Sequence, residues 1–215
     1  MSELTEYLQR GSPAGTVLNY VEVSRSPPKV AIVADPSNFQ ATACALVLCK
    51  LLGQACWHDV AMSPGVVPRG EAPLAGATAC VMVFSKGAVG QFDFTMAMYQ
   101  AALHQLPILP IMSEEDFHVL SEQEVTEAVS LVLPALNTAG CVADSKALFS
   151  IVSQIFVEIA IRFAPQDGAF SADVLEAKAT EVVQRLRGGV QTTKLEVSSE
   201  LLAKAAAESA RRIPL

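Results

Sequence analysis

The sequence predicts an α/β fold: a doubly wound parallel sheet of four to five strands, with helices on both faces and extra helices at the C-terminus. Apolar runs without polar interruption, such as KVAIVAD and TACVMVFS, are typical of strands that are buried on both faces. Segments in which apolar residues recur at helical spacing follow these runs. Strands that alternate with helices in this way indicate a parallel sheet covered by its connections.

The first strand and helix are predicted between Lys29 and Gly53. The strand KVAIVAD ends in a polar loop, and QATACALVLCKLLGQ continues with helical spacing, closed by Gly53 near its C-terminal cap. The short run ACWHDV is predicted as the second strand. AMSPGVVPRGEAPLAG is predicted as a long loop because it holds three prolines and three glycines.

The next two strands flank a predicted helix. TACVMVFS is the third strand, and FTMAMYQAALHQ is a helix with Met96 and Tyr99 on one stripe. LPILPIM is the fourth strand. Because its prolines lack backbone N–H groups, we expect it near an edge of the sheet or at a strand end.

Helices dominate the remainder of the domain. Ser121 and Glu124 have the spacing of a capping box at the start of a helix. NTAGCVAD is either a connector or a fifth short strand. SKALFSIVSQIFVEIAIRF is the clearest helix, since apolar residues recur along it at helical spacing through Phe163.

These elements divide the chain into three parts. Residues 1–28 are an N-terminal extension, residues 29–163 the α/β domain, and residues 164–215 a C-terminal helical extension. The extension holds two predicted helices, SADVLEAKATEVVQRLR, capped by its first serine, and SSELLAKAAAESARRI.

Composition and charge exclude several classes of function. The net charge is −7, so the sequence lacks the basic footprint of a nucleic-acid-binding protein. The polar N-terminus has no signal-peptide pattern and no apolar stretch is suited to span a bilayer, so we expect a cytoplasmic protein. The five cysteines lack CxxC spacing and nearby histidine clusters, so we expect reduced thiols and no metal site.

In a flavodoxin-like sheet, ligands lie at the carboxyl ends of the strands. The candidates there form an expected ligand- or partner-binding surface, and none is assigned a catalytic role. They are Asp35, Ser37, Trp57, Asp59, Pro64, Gly65, Ser85, Lys86 and Asp93. Asp35 and Ser37 can instead form a helix-capping turn, and Trp57 can be a stacking platform or simple packing. Ser85 lacks the sequence motif of a nucleophile.

The order of elements resembles that of a Toll/interleukin-1 receptor (TIR) domain over roughly residues 29–163. KVAIVADPSN is similar to the family's first strand and loop, and TACVMVFSKGAVGQFDF to its third strand, which ends in a serine. AALHQLPILPI is similar to the following helix end and the proline-bearing fourth strand. WHDVAMSPG is similar to the loop after the second strand, which implies a surface for self-association and signalling.

The resemblance also implies where an enzyme of this family would carry its acid. Enzymatic TIR domains cleave the glycosidic bond of NAD with a glutamate on the helix after the third strand. Nucleoside deoxyribosyltransferases place a catalytic glutamate on the same helix, and both glutamates fall on Ala97 here. A methyl group cannot stabilise the positive charge that builds on the ribose. Asp93, about one helical turn earlier, is the acid that could substitute.

We therefore expect a non-enzymatic TIR-like module that acts by self-association or by docking another TIR-like domain in signalling. The expected surface is AMSPGVVPRGEAP with neighbouring helix faces, and no cofactor is expected. One alternative is an N-glycosidic hydrolase that acts on NAD or a nucleoside with a displaced acid. A second alternative is a flavodoxin-like sensor that binds a nucleotide at the strand ends.

Overall fold

The computed structural model describes residues 29–56, 59, 62–67, 76–157, 160–188 and 197–212. A five-stranded, all-parallel sheet with the order β2-β1-β3-β4-β5 forms its centre. The strands are β1 (Val30–Ala34), β2 (Pro64–Val66), β3 (Ala79–Phe84), β4 (Ile108–Met112) and β5 (Ile161–Arg162). This order is that of flavodoxin-like sheets, so the predicted fold class is confirmed.

Seven α-helices among the described residues cover both faces of the sheet. They are α1 (Phe39–Ala55), α2 (Phe92–Leu103), α3 (Glu122–Ser130), α4 (Leu133–Thr138), α5 (Ser145–Ile155), α6 (Ala172–Gly188) and α7 (Ser199–Arg212). A 3₁₀ turn, Ala88–Gly90, lies between β3 and α2.

The two faces of the sheet form separate cores because successive side chains of a strand point to opposite sides. Val81 and Val83 of β3 pack with α1 and α6, whereas Cys80, Met82 and Phe84 pack on the other side with residues of α2, α3, α4 and α5. Every residue of β3 is buried. This double burial explains the uninterrupted apolar run in the sequence.

The helix α6 packs on the same face of the sheet as α1. Its residues Leu175, Ala179, Val182 and Val183 are buried in the core that also holds the α1 side chains. This part of the predicted C-terminal extension therefore shares the core of the α/β domain. The predicted N-terminal extension, residues 1–28, lies outside the described residues.

The second strand was predicted at the wrong place. The helix α1 continues through Ala55, past Gly53, and Cys56 is its C-cap, whereas the strand β2 lies at Pro64–Val66 within the predicted loop. Proline is tolerated at the start of β2 because this strand is at the sheet edge. Trp57 lies outside the described residues.

Of the two alternatives for NTAGCVAD, the connector is the one found, since the segment joins α4 to α5. NTAGCVAD holds no strand; the helix α5 ends at Ile155, and Ile161–Arg162 pairs with β4. Ile155 and Phe163 are buried on opposite faces of the sheet, so they do not share one helical stripe. The apolar residues of a short strand simply continued the helical period of α5.

The position of β4 agrees with the expectation that it lies near an edge of the sheet. It is next to the two-residue edge strand β5. The ladder with β5 covers only Ile111 and Met112, and Pro110 lies outside it. A two-residue neighbour is what reconciles a proline-bearing strand with an interior position.

The predicted capping box is confirmed. The Ser121 hydroxyl accepts a hydrogen bond from the Glu124 N–H, and the Glu124 carboxylate accepts one from the Ser121 N–H. His118 also contacts this carboxylate, 2.9 Å from Nε2 to Oε1. These bonds fix the start of α3.

Among the described residues, none of the helices combines the length and apolar character that crossing a membrane requires.

Four aromatic rings close the core at the carboxyl edge of β3. The Phe84 ring lies 5.1 Å from Phe94, 4.7 Å from Phe156 and 5.9 Å from Phe117, measured between centroids. Phe117 and Phe156 stack on one another at 5.6 Å. The cluster joins β3, the start of α2, the loop after β4 and the end of α5.

Phe84→Ala is expected to lower the free energy of unfolding by roughly 3–5 kcal/mol, because it opens a cavity among these rings. Phe39→Ala removes the same ring from a side chain that is 85% exposed, so we expect a change within about 0.5 kcal/mol. Urea denaturation of the two variants measures the difference. An equal decrease in the free energy of unfolding of both variants would contradict the conclusion that the Phe84 ring is packed in this cluster.

Candidate functional site

A cleft lies where the carboxyl ends of β1, β3, β4 and β5 meet. Its volume is about 490 Å³. The residues that line it come from the loops after these strands and from the start of α1; they are Asn38, Gln40, Lys86, Glu114, Glu115, Asp116, Ala164, Gln166 and Asp167. This is the place at which doubly wound sheets bind ligands.

The Glu114 carboxylate is held between two loops. Its Oε1 accepts a hydrogen bond from Asn38 Nδ2 at 2.9 Å, and its Oε2 accepts one from the Lys86 N–H at 3.0 Å. The other end of the Asn38 amide caps α1, since Oδ1 accepts from the Ala41 N–H at 3.0 Å. Glu114 therefore connects the loop after β4 to the loops after β1 and β3.

The loop after β4 is itself fixed to its neighbours. The N–H and hydroxyl of Ser113, which is fully buried, both donate to the Phe84 carbonyl, at 3.1 and 3.0 Å. Gln166 Nε2 donates to the Ser113 carbonyl at 2.5 Å. The position of Glu114 is consequently set by contacts to β3 and to the segment after β5.

The charge of the cleft is negative. Glu114, Glu115, Asp116 and Asp167 line it together with one cationic side chain, Lys86. Arg162, at the end of β5, contacts Asp167 at 2.7 Å and Glu115 at 3.4 Å, and its guanidinium lies 5.5 Å from the centroid of the Phe170 ring. The arrangement is poorly suited to a diphosphate, because the four carboxylates outnumber the two cations, and Arg162 is already paired with two of them.

Asp35 and Ser37 form the capping turn that the sequence left as an alternative to ligand contact. Asp35 is 2% exposed, and its Oδ1 accepts from the Ser37 N–H at 2.8 Å and the Ser37 hydroxyl at 2.7 Å. The Asp35 carbonyl accepts from the Asn38 N–H at 3.2 Å. Neither side chain is among the residues that line the cleft.

Ser85 is buried at the end of β3, and its hydroxyl has no hydrogen-bond partner among the described residues. Ser85 is not among the residues that line the cleft, and no histidine is among them either. The buried thiols are equally unsuited to nucleophilic attack, because burial raises the pKa of Cys44 and of Cys80 to about 12.

Ala97, onto which the resemblance places the glutamate of an enzymatic TIR domain, faces the core. Its side chain is 1% exposed and belongs to the cluster that holds Phe84 and Phe94. Asp93 lies in the first turn of the same helix, α2, and is not among the residues that line the cleft. The described acids of the cleft come from the loops after β4 and β5 instead.

The remaining predicted site residues lie away from the cleft, apart from Lys86. Asp59 contacts Arg187 of α6 at 3.2 Å, and Pro64 and Gly65 belong to the edge strand β2. The structure therefore brings Asp35, Ser37, Ser85 and Lys86 to adjacent strand ends and leaves the β2 residues elsewhere.

The sequence placed Asn38 and Glu114 within strand ends where ligands are expected but singled out neither residue, and it missed Gln166 and Asp167. A signal existed for Glu114, because the segment after the fourth strand is a carboxyl end where ligands are expected. No comparable signal marks Gln166 and Asp167, since the sequence assigned the strand before them to a helix. Among the described residues, no group of histidine, cysteine and acidic side chains is arranged to hold a metal ion.

Comparisons with known proteins identify no family for this chain. No protein-family model matches the sequence, and no curated protein matches it either. Among solved structures, the chain is similar to the TIR domains of the activated Roq1 resistosome that directly recognizes the pathogen effector XopQ. That similarity has a TM-score of 0.40 and 10% sequence identity, and covers 77% of this chain and 99% of the other.

Ala97→Glu is expected to lower the free energy of unfolding by roughly 3 kcal/mol or more, because it inserts a carboxyl group into a filled apolar core. Gln100→Glu, on the partly exposed side of the same helix, is the matched control and should cost about 0.5 kcal/mol or less. Urea denaturation compares the two. An Ala97→Glu variant as stable as the control would mean that this position faces the cleft.

Proposed function

We propose that the chain is a non-enzymatic TIR-like interaction module, which acts in cytoplasmic signalling by self-association or by docking another TIR-like domain. The observation that carries the proposal is the exposed apolar side of α1. The Phe39 side chain is 85% exposed and Leu46 is 49% exposed. Residues seven apart lie on one side of a helix, so the two side chains share a face.

The surroundings of this face are described by the exposure of the neighbouring residues. Between Phe39 and Leu46, Ala43 is half-buried on the same side, and the opposite side of α1 is buried against the sheet. The helix α6 packs beside α1 and exposes Val174, 39%, close to its own N-terminus. Large exposed apolar side chains on one face are typical of a protein-binding surface, with an aromatic ring as its anchor.

The cleft argues against the enzymatic alternatives. The backbone N–H of Lys86 and the Asn38 amide, which could bind an anionic ligand, are bound to the Glu114 carboxylate. The three further acids of the lining disfavour a pyrophosphate. The same reasoning disfavours a nucleotide sensor.

Phe39→Ser is expected to weaken self-association about tenfold or more, because it removes the aromatic anchor of the surface. Leu131→Ser is the matched control. Leu131 is 87% exposed and follows α3, on the opposite face of the sheet. Analytical ultracentrifugation over a range of concentrations measures both dissociation constants.

A wild-type chain that stays monomeric at high concentration, and stays monomeric when mixed with other TIR-like domains, would refute the proposal. An equal loss of affinity in both variants would show that nonspecific hydrophobic contacts, and not the α1 face, cause the association.

A hydrolase with a displaced acid is the second candidate, and one observation favours it. Glycosidic cleavage requires a carboxylate at the ligand, and Glu114 supplies one in the cleft. In this version of the hypothesis Glu114 replaces Asp93 as the displaced acid. The two hydrogen bonds that Glu114 accepts nevertheless direct it toward the protein's own loops.

Incubation with NAD followed by chromatography separates the two candidates. We expect no release of nicotinamide above the protein-free control, from the wild type or from Glu114→Gln. Release by the wild type that disappears in Glu114→Gln and persists in Asp93→Ala would establish the hydrolase and contradict the non-enzymatic proposal.

A further inference from the structure

We draw no further inference here: the strongest candidate, the cluster of acidic side chains in the cleft at the carboxyl ends of the strands, belongs to the site already described, and no second feature of the described residues shows which ligand it would bind.

Discussion

The Glu114 carboxylate joins three strand ends of the sheet by two hydrogen bonds, one from the Asn38 amide and one from the Lys86 N–H. The connections after β1 and β3 lead to helices on opposite faces, so a crevice opens between them. An anionic ligand of a doubly wound fold would bind in this crevice. Here the protein supplies its own anion, which accepts from the Asn38 amide and from the Lys86 N–H.

Because Glu114 occupies donors in the crevice, the proposed function is placed on the exposed surface of α1. Ala97 is buried in the core, and two of the acids that line the cleft, Glu115 and Asp167, pair with Arg162. The exposed apolar residues of α1, by contrast, gain no stability from the fold in the positions that they occupy. The bonds of Glu114 inside the cleft and the exposed Phe39 ring are the two observations that support the proposed protein-binding role.

The sequence predicted the elements whose signals are local. The strands β1 and β3 are doubly buried and read as apolar runs, and the capping box of α3 lies within four residues. The sequence did not predict the positions of β2, which has three residues, and β5, which has two. Strands this short carry no periodicity of their own, because they depend on their neighbours for pairing. The contacts inside the cleft could not be predicted from the sequence for a similar reason. Asn38 and Glu114 are 76 residues apart, and only the strand order brings them together.

The most direct test is an NMR measurement of scalar coupling across the hydrogen bond between the Lys86 amide nitrogen and the Glu114 carboxyl carbon. The account predicts that this coupling is present in the wild-type chain and unchanged when NAD is added in excess. A coupling that disappears as NAD is titrated would show that the ligand displaces Glu114, and would contradict the account of a crevice closed by the protein itself.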